Sequence, residues 1–177
     1  WMLAADAERN LIFAPTTSPS PDFFGGLRPG DNRAANSVVA LDVATGRLVW
    51  QFQTVRHDLW DYDNASQPSL VDIRRDGKTI PALVLPTKVG HVFILDRTTG
   101  EPLFPVEERS VPPSDVPEET AAASQIFPVR PPPLHPSPTE DVVVWSPTPE
   151  HAGFCRSLLT GVRYDGMFTP PSLGGTL

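Results

Sequence analysis

Residues 37–52 read Ser37-Val-Val-Ala-Leu-Asp-Val-Ala-Thr-Gly-Arg-Leu-Val-Trp-Gln-Phe52. Two apolar runs flank Val43-Ala-Thr-Gly46, where a glycine supplies the positive φ that a tight turn needs, so the stretch predicts a β-hairpin. The pattern apolar-Leu-Asp-x-x-Thr-Gly-x-x-x-aromatic returns as Val92-Phe-Ile-Leu-Asp96, Arg97-Thr-Thr-Gly100 and Glu101-Pro-Leu-Phe104. A strand-turn-strand unit recurring at roughly 50 residues marks a radially repeated all-β architecture, a propeller. Trp50 is expected to pack between neighbouring blades, and Asp42 and Asp96 to cap the two Thr-Gly turns. Phe104 stands where the first copy has Trp50, so the second copy is degenerate.

Outward from the hairpins, Pro68–Ile73 and Ile80–Leu85 predict two further strands around the polar turn Arg74–Lys78, and Leu11–Ala14 a short buried one. Thr16–Gly26 mixes prolines, hydroxyls and glycines and must be a loop, either a surface connection or part of a site, with Phe23 and Phe24 as rings to bury. From Pro105 to Pro149 the chain carries a large share of its 22 prolines. That part predicts an irregular insertion, with Pro131-Pro-Pro133 in polyproline II. Thr148 as N-cap, Pro149 in the first helical position and Glu150 in the first turn predict one short helix reaching Leu159. The expected division is propeller blades over 1–104, a proline-rich insertion over 105–149, and the helix with the start of the next blade over 150–177. The opening on Trp1 and the close on Ser172-Leu-Gly-Gly-Thr-Leu177 read as a piece of a larger protein, two to three blades whose open edges neighbours would cover.

The formal charge of -7, with no Lys/Arg-rich run, argues against nucleic acid or an anionic membrane surface as partner and favours a small neutral or cationic substrate. The single cysteine, Cys155, excludes an internal disulfide and a multi-thiolate metal site, and reads as a half-buried small apolar residue. No apolar run approaches the about 20 residues of a membrane span.

The chemistry concentrates in His57-Asp58-Leu59-Trp60-Asp61-Tyr62-Asp63, which is too polar for a core strand and too aromatic for an ordinary solvated loop. Together with Pro21-Asp-Phe-Phe-Gly-Gly26, the Trp50 hairpin, Pro86-Thr-Lys-Val-Gly-His-Val-Phe-Ile-Leu-Asp-Arg97 and Phe168-Thr-Pro-Pro-Ser172, it gives five motifs in order along the whole chain. On these the sequence resembles the pyrroloquinoline quinone (PQQ)-dependent dehydrogenases of the membrane-bound glucose dehydrogenase type. The resemblance implies an eight-bladed propeller holding PQQ and a divalent metal, calcium or magnesium, near its axis. It also implies oxidation of a sugar or other alcohol on the periplasmic face, attachment to the inner membrane through sequence preceding this chain, and electrons passed to ubiquinone. By the same resemblance Asp61 is the general base and Lys88 contacts the quinone.

Alcohol oxidation fits these residue types, because a carboxylate can take the hydroxyl proton while a lysine ammonium or a metal steadies charge developing on the quinone oxygens. Asp61 and Lys88 are expected at corresponding ends of two strands. His57 and Asp58 are either partners that orient Asp61 or a hydrogen-bonded structural pair, and Trp60 reads as packing before it reads as a substrate platform. The chain departs from the family pattern at Thr17-Ser18, where relatives often carry Gly-Asn: Ser18 stands in the place of a ligand amide, and a hydroxyl is a poorer ligand for a hard cation. Two other classes stay open, a non-catalytic propeller scaffold built from the same repeats and an inactive truncated product.

Overall fold

The computed structural model describes residues 2–134 and 145–176. Ala4–Asp6 (β1), Leu11–Pro15 (β2), Ser37–Asp42 (β3) and Leu48–Gln53 (β4) form one antiparallel sheet in that order. Ser69–Arg75 (β5), Lys78–Pro86 (β6) and Val92–Asp96 (β7) form a second antiparallel sheet, so the strands follow one another as a meander in each blade. The described chain is thus a partial β-propeller.

Alternation decides which face of each strand is buried. Leu11 and Phe13 of β2, Val38 and Ala40 of β3, and Trp50 of β4 meet Leu83, Leu85, Phe93 and Leu95 of the second sheet in one apolar cluster. Burying each of the larger side chains stabilises the fold by about 1.5–3 kcal/mol before chain entropy is counted. Polar ties join the same two sheets. The Trp50 Nε1–H donates to the Arg97 carbonyl at 3.1 Å, and the buried Arg97 guanidinium lies 2.8 Å from Asp6 and 3.2 Å from Asp72. Burial alone would push the Asp6 carboxyl up, but hydrogen bonds from Arg9 and the charges of Arg97 and Arg9 outweigh it and hold the group below the usual carboxylate range.

Both turns form as their sequences demand. Asp42 Oδ1 accepts from the Thr45 N–H at 2.8 Å and Asp96 Oδ1 from the Thr98 N–H at 2.8 Å, while Gly46 and Gly100 take φ of 70° and 77°. The second hairpin is shorter than its sequence predicts. Its return, Glu101–Phe104, is not a strand but meets β7 through one bridge, Leu95 to Pro102. The pairing runs only from the Asp96 N–H, which donates to the Glu101 carbonyl at 2.8 Å, to the Leu103 N–H, which donates to the Ile94 carbonyl at 2.8 Å.

The proline-rich stretch also departs from expectation. Val106–Ser110 (β8) and Ser124–Pro128 (β9) pair in register from Val106–Pro128 to Ser110–Ser124. The pairing forms because Val106-Glu-Glu-Arg-Ser110 and Ser124-Gln-Ile-Phe127 lack prolines inside the run. This ribbon is clamped to the first blade by Gln125, fully buried, whose amide accepts from the Arg56 N–H at 2.9 Å and donates to the Arg56 carbonyl at 2.7 Å. Residues 135–144 of the expected insertion lie outside the described residues. Pro149–Leu158 (α1) is the one helix among the described residues, and the Thr148 hydroxyl accepts from the His151 N–H at 3.2 Å as its N-cap. Cys155 on α1 is half-buried. Of the expected strand at the chain end, a single bridge between Arg163 and Thr176 forms.

Candidate active site

Asp58 organises the 57–63 stretch. Its side chain is fully buried; Oδ1 accepts from the Trp60 N–H at 2.8 Å, and Oδ2 accepts from the Tyr62 N–H at 2.8 Å and from the Asn36 amide at 2.6 Å. The Arg28 guanidinium donates to the Asp58 carbonyl. A carboxylate so surrounded is compensated by donors on three sides, which is what its burial requires. The chain therefore wraps around Asp58 and leaves Asp61 at the crest of the loop with φ of 59°.

At that crest the Lys88 ammonium donates to Asp61 Oδ2 at 2.8 Å and to the Asp61 carbonyl at 2.5 Å. The two side chains keep 32% and 44% of their exposure, for Asp61 and Lys88 respectively, so a small molecule can reach both. They do not stand at strand ends as expected; Asp61 lies in the loop between β4 and β5, and Lys88 in the turn between β6 and β7. The hydrogen bond to Asp61 outweighs desolvation and holds Lys88 above the ordinary lysine range. Asp63 is a second acid at the same place, one that sequence reasoning did not single out. Burial, then the neighbouring Asp61 charge and hydrogen bond, push its carboxyl up despite the Ser18 N–H that donates to its Oδ1 at 2.7 Å.

Two flat rings wall the crest. Trp60 and Tyr62 stack at 5.5 Å with planes 15° apart, and Phe168 meets both edge-on. The Trp60 Nε1–H donates to the Thr169 carbonyl at 2.6 Å and the Tyr62 hydroxyl to the Met167 carbonyl at 2.7 Å. These bonds tie the loop to Met167 and Thr169, on either side of Phe168, and hold Trp60 against that ring. Burial, then the charge of Asp58, pushes the Tyr62 hydroxyl up to about 12.

His57 and Asp58 do not form a pair. The His57 Nδ1–H donates to the Gly30 carbonyl at 2.6 Å, and a Cβ at Gly25 would collide with its Nε2. His57 lines a cleft of 520 Å³ between the Gly25–Asp31 loop and residues 118–123, and neither Asp61 nor Lys88 is among that cleft's lining residues. Phe24 is half-buried while Phe23 stays 60% exposed, so the Pro21–Gly26 loop buries one of its two rings.

Lys88, exposed and cationic beside Asp61, suits a planar quinone that carries carboxylates. For a hard cation the crest offers oxygens of the right class: the Asp61 and Asp63 carboxylates, and the Ser18 hydroxyl, which is buried with no hydrogen-bond partner among the described residues. Among the described residues no group of three or more His, Cys, Asp or Glu side chains gathers to hold a metal. Lys88 is thus of the right chemical class for such a group, whereas the described residues alone do not make up a metal ligand set.

Residues 1–177 match a family profile described as PQQ glucose/ethanol/alcohol dehydrogenase, β-propeller domain. The chain is 42% identical over 181 residues to the quinoprotein glucose dehydrogenase of Gluconobacter oxydans, covering 100% of this chain and 22% of that protein. It is 40% identical over 174 residues to the glycerol dehydrogenase large subunit of Gluconobacter thailandicus, covering 97% and 24%. Among solved structures, the quinohemoprotein alcohol dehydrogenase of Comamonas testosteroni superposes with a TM-score of 0.55 at 28% identity, over 73% of this chain and 19% of that one. The chain thus spans about a quarter of the length of the curated relatives it matches.

Proposed function

This chain belongs to the PQQ-dependent glucose/ethanol/alcohol dehydrogenase β-propeller family, and from that premise we propose that it contributes the acid–lysine pair of a quinoprotein dehydrogenase acting on a sugar or other alcohol. The observation that carries the reading is the contact of Lys88 with Asp61 at 2.8 Å on a surface both side chains share with solvent. Glucose, glycerol and quinate dehydrogenases among the relatives support a polyhydroxylated substrate class.

In this reading Asp61 takes the hydroxyl proton of the substrate at its carboxylate, and Lys88 both orients that carboxylate and presents an ammonium to the quinone oxygens. PQQ, when bound, supplies the carbonyl that accepts the hydride equivalent. Trp60 and Tyr62 exclude water on one side of Asp61, and Asp58 fixes the loop. Calcium or magnesium, if bound here, would draw on the Asp61 and Asp63 carboxylates and the Ser18 hydroxyl, and would supply further positive charge beside the quinone oxygens. Passage of electrons to ubiquinone and a periplasmic, membrane-attached setting follow from the family likeness and belong to the same proposal.

The test uses the full-length protein reconstituted with PQQ and calcium, with reduction of an artificial dye by aldoses and alcohols as the readout. Asp61→Asn should retain PQQ and lose about 100- to 10,000-fold in turnover, the range removed with a general base. Unchanged turnover in that variant sinks the assignment of Asp61.

A further inference from the structure

Asn36 joins both loops of the candidate site. It is fully buried, with φ of 44°. Its N–H donates to the Thr17 carbonyl at 3.0 Å, and its carbonyl accepts from the Thr54 N–H and the Thr54 hydroxyl, each at 2.7 Å. These backbone bonds seat the residue beside the Thr17-Ser18 loop. The side chain turns the other way: Nδ2–H groups donate to Asp58 Oδ2 at 2.6 Å and to the Tyr62 carbonyl at 3.1 Å. One amide therefore closes the 58–62 loop at both ends, across the segment that contains Asp61.

That closure bears on Asp61 through its backbone. A non-glycine residue at φ of 59° sits in a sparsely populated region and stays there when its surroundings over-determine it. Trp60 on one side and Tyr62 on the other are held by the Asp58 carboxylate, and that carboxylate is itself held by Asn36. We propose that Asn36 is the positioning residue for Asp61, its side-chain amide locking the 58–62 loop in the conformation that sets the Asp61 carboxylate against Lys88. The catalytic part of this inference rests on the reading of Asp61 given above. A residue that merely formed a turn would need only its backbone and its positive φ, which asparagine tolerates; the pair of side-chain bonds across the loop goes beyond that.

The position allows the two roles to be separated. Glycine adopts a positive φ without strain, so Asn36→Gly keeps the bonds to Thr17 and Thr54 and deletes only the amide. In the full-length PQQ-loaded enzyme, Asn36→Gly should lower kcat by about 100-fold with KM and PQQ content unchanged, the scale of loss expected when a catalytic group is displaced by about 1 Å. In the cofactor-free protein, deuterium uptake at the Trp60 and Tyr62 amides should rise while the β3–β4 amides stay protected. Asp58→Asn, nearly isosteric, sets an amide donor against one of the donors Asp58 now satisfies, and should show the same pattern. Asp61→Asn serves as the control. Full activity in Asn36→Gly beside an inactive Asp61→Asn overturns the positioning role and leaves the function standing. Activity in Asp61→Asn removes the catalytic reading, and the positioning of the loop is then decided by exchange alone, unchanged uptake at Trp60 and Tyr62 overturning it. Uptake that rises equally across β3–β4 also overturns it, since Asn36 would then hold the whole blade.

Discussion

The same local device occurs at three places in the molecule with two outcomes. Asp42 and Asp96 cap the tips of the blade hairpins, each accepting from a backbone N–H at 2.8 Å within reach of solvent. Asp58 caps the 58–62 loop with the same geometry, 2.8 Å to each of two N–H groups, but entirely inside the protein. At the tips a lost carboxylate can be replaced by water; under the loop it cannot. The contrast shows how one turn-forming chemistry becomes a fixed platform when the surrounding fold removes the solvent that would otherwise share its work.

Substituting the caps tests this most strongly. Asp58→Ala strands two backbone donors and the Asn36 amide in a buried place, each costing about 1–3 kcal/mol, so the loss of stability should be on the order of 4 kcal/mol. Asp96→Ala removes a cap whose donors water can satisfy, and should cost about 1 kcal/mol. Denaturant midpoints of the full-length protein would check the pair; equal losses at the two sites would break the contrast.

The two turn glycines sharpen it at a smaller scale. Gly100 lies under the indole of Trp50, where a Cβ would stand 2.6 Å from Cε3, whereas a Cβ at Gly46 meets nothing within 4 Å among the described residues. Both take a positive φ, so alanine carries a backbone cost of about 1–2 kcal/mol at each. At Gly100 overpacking adds about 1–3 kcal/mol, because the indole is pinned through its bond to the Arg97 carbonyl. Gly100→Ala should therefore melt several degrees below Gly46→Ala in a thermal scan.

What the sequence made legible follows the same division. Alternation and turn chemistry act over a few residues, so strands β2 to β7, both Thr-Gly turns, the Trp50 dock and the Thr148 cap could be read directly, while β1 and the failure of Glu101–Phe104 to form a strand could not. The pairing of β8 with β9 was missed, because two short proline-free runs are hidden by the proline-rich composition around them, and the seat of that ribbon on the fold is set by Gln125 meeting the distant Arg56 backbone. The roles of Asp61 and Lys88 were expected from a family resemblance, but the strand ends assigned to them were wrong: Asp61 lies in the β4–β5 loop, bent around the buried Asp58, and Lys88 in the β6–β7 turn. Asn36 gave no sequence signal. It sits before a strand in a polar run, Asp31-Asn-Arg-Ala-Ala-Asn36, where asparagine is ordinary, and its importance comes from the buried carboxylate that meets it.

The faintest consequence of burying the cap is the one read by titration. The sequence holds two tyrosines, Tyr62 and Tyr164, and burial pushes both upward, Tyr62 to about 12 with the Asp58 charge adding to the effect. Tyr62 should give no phenolate absorbance near the ordinary tyrosine value of about 10. The folded pKa of Tyr62 being the raised one, its contribution to stability is complete below about 10 and is lost as the pH rises through about 12. Asp58→Asn removes the charge but leaves the burial, so the Tyr62 transition should move down by a fraction of a unit and stay well above 10. A Tyr62 transition at about 10, assigned by its loss in Tyr62→Phe, would mean that the ring is open to water, and the enclosed platform around Asp58 would fall with it.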